Sequence, residues 1–273
     1  MSETGQAGWS GRKRFLRLSA GRRLAYIDNE APGPAILLLH GYTDSSRSWS
    51  LIEPHLPGCR LIMPDLPGHG LSDAAPAPSL EGFCEDTIQL ADALGLGCFA
   101  LVGHSMGAIT ALQLAVSAAG RVRAVASLSG SLRPALSTQA ALAGEIRALR
   151  DPIGPRSAFL DDWHRCAQPV EPNFAWQIAQ EAAAIPAAVW QALFAMLDTV
   201  DLSQTPEGMR APLLLLAGED DVLFDKTHRT ALRHAFPRAE VHLLAGHSHN
   251  PHWESPADVA GIVLPFLMRN GIG

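Results

Sequence analysis

Three stretches of this chain hold side chains that could share a proton. Gly103-His104-Ser105-Met106-Gly107 sets a serine between two glycines in a G-x-S-x-G pattern. Gly218-Glu219-Asp220-Asp221 carries adjacent carboxylates, and Gly246-His247-Ser248-His249-Asn250-Pro251-His252 offers three imidazoles. A serine hydroxyl is a poor nucleophile near neutral pH and needs a base to take its proton as it attacks. Histidine titrates close to neutrality, so it can accept that proton and give it back. A buried carboxylate fixes the imidazole tautomer and stabilises the imidazolium. Serine, imidazole and carboxylate together are the parts for nucleophilic attack on a carbonyl. Residue type alone leaves open which aspartate and which histidine take part.

Such parts work only if the chain brings them together, and the flanking pattern says how. Cys98–Val102 is a short apolar run fit for a buried strand, and Ala108–Ala119 reads as a helix that stops at Gly120. Ser105 therefore sits on a sharp strand-to-helix turn. Side chains at 103 and 107 would collide with neighbouring elements, and the turn strains the backbone at the serine. The helix N-terminus behind it favours negative charge. Strand-like runs recur at Phe15–Leu18, Arg22–Asp28, Ala35–His40, Arg60–Asp65, Val122–Leu128, Leu213–Ala217 and Glu240–Leu244, the first two forming a hairpin around Gly21. Helical candidates lie between them at Ser46–His55, Ser79–Leu94, Thr227–Ala235 and Pro256–Met268. Near-continuous apolar strands alternating with helices imply an α/β fold, with a mostly parallel eight-stranded sheet covered on both faces. Sites in such sheets lie beyond the carboxyl ends of the strands. The alternation stops over residues 131–206, where prolines separate helical patches at Gln139–Arg150, Arg156–Cys166, Phe174–Ala184 and Pro186–Leu197. We read a core formed by residues 1–130 and 207–273, with a helical cap inserted at 131–206.

Composition narrows the partners. With 273 residues, 47% hydrophobic and 18% charged, the chain can bury a large core. A net charge of −6 argues against nucleic acid or an anionic membrane as main partner. No apolar run is long enough to span a bilayer. The polar stretch Met1–Gly11 reads as a frayed tail. The cysteines Cys59, Cys84, Cys98 and Cys166 are far apart, without C-x-x-C spacing, and Cys98 falls in a candidate buried strand; a reduced, cytoplasmic setting is expected.

The order Ser, Asp, His, each in a loop after a strand, resembles the α/β-hydrolase family. His40-Gly41-Tyr42 after the first strongly apolar strand, and Pro64-Asp65-Leu66-Pro67-Gly68-His69-Gly70 after the next, add to the likeness. It runs from about Phe15 to the C-terminus, with the insertion matching the family's variable cap. The resemblance implies a catalytic triad. The family's G-x-x-D pattern selects Asp221 over Asp220, while Asp225 reads as the N-cap of the next helix. A Pro-His-x-Glu run after the base favours His249; the G-H pattern points instead to His247. Ser248 stands where the family has glycine. The resemblance also places the oxyanion-binding N–H groups at Tyr42 and Met106. His40 and His69 read as structural loop residues, and His104 is given no chemistry. The aromatic cap suggests core packing, with Trp163 and Trp190 as candidate substrate contacts.

The implied reaction is hydrolysis of a carboxylic ester or lactone through an acyl-enzyme at Ser105, on a small apolar substrate and without cofactor. Carbon–carbon bond hydrolases and cofactor-free perhydrolase-like relatives share the same parts. Haloalkane dehalogenases and epoxide hydrolases of this family carry aspartate at the elbow, against Ser105. A metal site is not expected, because the H-x-H at 247–249 lacks a following D-H and the chain has no H-E-x-x-H. A non-catalytic binding protein on the same scaffold is disfavoured by the presence of all three triad members.

Overall fold

The computed structural model describes residues 3–272. Eight strands form one sheet: β1 (Arg14–Arg17), β2 (Arg23–Asp28), β3 (Ala35–Leu39), β4 (Arg60–Pro64), β5 (Phe99–His104), β6 (Val122–Leu128), β7 (Leu213–Gly218) and β8 (Glu240–Leu244). Their spatial order is β1-β2-β4-β3-β5-β6-β7-β8. The β1–β2 hairpin is antiparallel and turns at Gly21 (φ +81°), and β2 joins β4 antiparallel. All later pairs are parallel.

Alternation along the strands feeds two cores. Leu37, Leu39 and Leu101 pack with Phe83, Ile109 and Leu112 from the helices Leu80–Ala93 and Met106–Ser117. Ile36, Leu38 and Val102 point the other way, onto Val259, Val263 and Phe266 of the helix Pro256–Leu267. Helices begin where side chains can take their free N–H groups. Ser79 accepts from Gly82, and Asp225 accepts from Thr227 and His228.

Between β6 and β7 lie helices at Ala140–Ala148, Ala158–Trp163, Pro172–Ala184 and Ala187–Thr199, and a short turn at Thr205–Gly208. The third and fourth meet at 93°. Pro186 causes the break: it forces Ile185 into extended backbone (ψ 124°). No single helix among the described residues is long and apolar enough to cross a membrane.

Four expectations need correction. Ser46–His55 forms two 3₁₀ turns, Ser46–Trp49 and Glu53–His55, because Pro54 falls within the first turn of the second. The helix after Ser105 ends at Ser117, and Gly120 does not adopt left-handed backbone. Cys98 lies outside β5 and is exposed. The N-terminal stretch, of which Met1 and Ser2 lie outside the described residues, is docked. Gln6 and Trp9 are buried, Gln6 donates to Ser50 and Trp9 to Ser46, and Arg47 donates to the Gln6 carbonyl. One tryptophan and a buried guanidinium outweigh the polar average of that stretch.

A Cβ at Gly107 would lie 2.0 Å from the Leu39 carbonyl oxygen, whereas one at Gly120 meets nothing within 4 Å. Gly107→Ala is therefore expected to lower the melting temperature by roughly 10 °C or more, or to prevent folding, with Gly120→Ala close to neutral. Thermal denaturation of the pair checks this.

Candidate active site

The elbow forms because two glycines let three backbones meet. A Cβ on Gly103 would come within 2.2 Å of the Gly107 carbonyl oxygen, so the close approach of β5 to the start of the following helix requires glycine here. Between them Ser105 takes φ 51°, ψ −114°, a conformation that costs a non-glycine residue on the order of 1–3 kcal/mol. Its N–H is anchored on the Leu128 carbonyl at 2.9 Å. The strain carries the hydroxyl out above the ends of the central strands.

The other parts arrive from the loops after β7 and β8. Asp221 is 3% exposed. Its Oδ1 accepts the N–H groups of Leu223 and Phe224, both at 2.9 Å, and its Oδ2 accepts His249 Nδ1–H at 2.8 Å. Burial pushes this carboxyl up, but the His249 charge and hydrogen bond and the two backbone donors outweigh it, so it sits below the ordinary carboxylate range. An ionised Asp221 places the imidazole proton on Nδ1. Nε2 is then left as acceptor, 2.9 Å from Ser105 Oγ. Ser105, His249 and Asp221 thus form one continuous hydrogen-bonded chain.

The rival residues go elsewhere. His247 spans the Ala245 carbonyl (2.9 Å) and Ser255 Oγ (2.7 Å), holding the loop closed. Asp220 is exposed at the cavity mouth, and Asp225 caps its helix. His40 bridges the Gly41 carbonyl and the Leu66 N–H, and His69 donates to the Pro67 carbonyl.

Sequence reasoning missed the residues that support this chain. His104 Nε2 donates to the His249 carbonyl at 2.9 Å, pinning the His249 loop to the elbow. Behind it, Trp253 Nε1 donates to Ser48 Oγ at 2.9 Å, and Ser48 also contacts His252 Nε2 and Asp44 Oδ2. No spacing marks the contacts of Ser48 with His252 and Trp253, which join residues 204 and 205 positions apart. Two insertion residues hold the same loop. The Ala167 N–H reaches Glu254 Oε1 at 2.9 Å, and Gln168 Nε2 reaches the Gly246 carbonyl at 2.7 Å. Glu254 in turn accepts from the backbone and hydroxyl of Ser248, so the serine in the glycine's usual place has a partner.

Tyr42 and Met106 both line a cavity of about 460 Å³ that opens over Ser105. Their N–H groups have no intramolecular acceptor among the described residues, which leaves both available to an oxyanion. Much of the wall is apolar: Ile109, Leu136, Leu142, Phe159 and Phe224. Trp163 lines it and donates Nε1–H to Thr43 Oγ1. Trp190 does not. It is fully buried behind Tyr42, whose hydroxyl donates to the Trp190 carbonyl at 2.6 Å, and its Nε1–H goes to Ala182. The apolar face of helix Ala187–Thr199 turns Trp190 inward, so it supports the wall without forming it. Among the described residues, no group of three His, Cys, Asp or Glu side chains is arranged to hold a metal ion.

With this geometry in view, a sequence profile of the alpha/beta hydrolase fold matches residues 34–256. The chain belongs to the alpha/beta hydrolase fold family. Within the family it is 29% identical over 264 residues to the 2-succinyl-6-hydroxy-2,4-cyclohexadiene-1-carboxylate synthase of Salmonella agona, a match covering 89% of this chain and 97% of that enzyme. A 125-residue stretch is 34% identical to the bifunctional epoxide hydrolase 2 of Sus scrofa, covering 44% of this chain but only 22% of that protein. Among solved structures, a hydrolase from Pseudomonas aeruginosa superposes with a TM-score of 0.82 at 26% identity, over 94% of this chain and 98% of its own. The enol-lactonase from Burkholderia xenovorans gives 0.77 at 22% identity, over 93% and 100%, a likeness that speaks for fold.

Burial also sets the charge state of the site's surroundings. It holds His40, His104, His164 and His252 below the ordinary imidazole range and takes His69 down to about 3. These rings are neutral in the fold and protonate first in the unfolded chain. Their contribution to stability is therefore complete above about pH 6.5 and is lost as pH falls from there toward the folded values. Urea midpoints are expected to drop between about pH 7.5 and pH 5.5; an unchanged midpoint contradicts it.

Proposed function

We propose that this alpha/beta hydrolase cleaves a carboxylic ester or lactone through an acyl-enzyme on Ser105. The observation that carries the reading is the unbroken Ser105–His249–Asp221 hydrogen-bond chain beneath an apolar cavity. Ser105 Oγ attacks the carbonyl carbon as its proton passes to His249 Nε2. The carbonyl oxygen takes the negative charge and accepts from the N–H groups of Tyr42 and Met106. The carbon–oxygen bond of the ester then breaks, and His249 returns the proton to the departing alkoxide. Water, deprotonated by the same imidazole, releases the acid and restores the serine. In a lactone the departing hydroxyl stays tethered, and the product is a hydroxy acid.

The cavity also bears on substrate charge. Asp44, Glu145, Asp162 and Asp220 line it, against one guanidinium, Arg165, already paired with Asp162. A substrate with two carboxylates, such as the product named for the Salmonella relative, finds no free cation among the described residues of that lining. A neutral, largely apolar ester fits the wall better.

Ser105→Ala is expected to lower kcat on p-nitrophenyl esters by at least about 10³-fold with the melting temperature retained, since alanine keeps the Cβ and the same backbone. Asp221→Asn should cost on the order of 10⁴-fold, because the amide favours the wrong tautomer. A fluorophosphonate probe should label Ser105 alone. Near-normal turnover by the alanine variant would reject the mechanism.

A further inference from the structure

A second cavity, of about 250 Å³, opens on the opposite side of the Asp221 loop, between the helix Lys226–Ala235 and the outer strand β8. Its floor is apolar, from Leu215, Leu216, Phe224 and Leu232. Two serines reach it from the end of β6. Ser127 and Ser129 are each 1% exposed, and neither hydroxyl has a partner among the described residues. Buried hydroxyls without partners are rare, because the hydration given up on folding is not replaced. The rim is cationic. Lys226, Arg229 and Arg233 follow one face of the helix at spacings of three and four. Lys226 and Arg233 form no ion pair or hydrogen bond among the described residues, and Arg229 meets only backbone carbonyls. Among the described residues, Glu219 is the one carboxylate of the lining. Beside the cations, Val241 and Leu243 of β8 stand 43% and 50% exposed.

We propose that this cleft binds a small amphiphilic anion: a carboxylate or phosphate head on a short hydrocarbon tail. The tail lies along the leucines and the exposed face of β8. The head meets the two serine hydroxyls at the inner end, under the positive charge that Lys226 and Arg233 supply from the rim. The volume suits one small molecule and is too small for a polymer. The cleft shares Phe224, and none of its other lining residues, with the Ser105 cavity, and it does not depend on the reaction proposed there.

The test is calorimetric titration with sodium octanoate, with octan-1-ol and inorganic phosphate as arms that carry only tail or only head. Octanoate should bind with one equivalent assigned to this cleft, and each partial probe at least about tenfold more weakly. Lys226→Glu combined with Arg233→Glu, both exposed, should remove that equivalent while thermal denaturation shows an intact fold. A control reversal at Arg123, exposed on β6, should not. Arg229 is left alone because it holds the Asp221 loop. Absence of octanoate binding, equal binding of octanol, or binding indifferent to the double reversal overturns the proposal.

Discussion

The imidazole of His249 is the point on which this architecture turns. It accepts from a hydroxyl 144 positions earlier and donates to a carboxylate 28 positions earlier. Neither contact is local, so both depend on the parallel register of β5, β6, β7 and β8, which ends the strands side by side. A one-residue slip in any of them would reverse every side chain and part the loops. The sheet's near-continuous apolar strands are thus the means by which three distant side chains are held within hydrogen-bond distance.

Holding them costs free energy that the surroundings supply. Ser105 keeps a left-handed backbone only because Gly103 and Gly107 allow contacts of about 2 Å between a hypothetical Cβ and neighbouring carbonyls. Asp221 remains ionised although buried because two N–H groups and an imidazole face it. Histidines with unpartnered nitrogens, His69, His104 and His252, lie beneath the same loops and are kept neutral by burial. The centre is polar and densely connected, and it rests on apolar layers on both faces of the sheet.

Much of this was legible in the chain. Strand positions, the elbow and the acid and base loops all follow from short-range signals: apolar runs, paired glycines, and a carboxylate or imidazole just past a strand. What escaped depended on long-range packing. Trp190 and Trp163 carry the same composition signal, yet one is turned behind Tyr42 and the other faces the cavity, a distinction made by how the insertion's helices dock. Trp9 and Gln6 sit in a polar stretch whose burial depends on Arg47 and Ser46. His104 occupies a variable letter of the G-x-S-x-G pattern, and only the folded loop shows that its ring grips the His249 carbonyl.

The bonds from Ala167 and Gln168 to Glu254 and Gly246 carry a consequence for how this scaffold can diversify. The segment that shapes the cavity also braces the loop bearing the imidazole. Sequence change at Gln168 or Glu254 is not free to retailor selectivity alone, since loss of either side chain would loosen the His249 loop for every substrate at once. Variation is tolerated best at wall positions such as Leu136, Leu142 and Phe159, which line the cavity and form no hydrogen bond to that loop among the described residues.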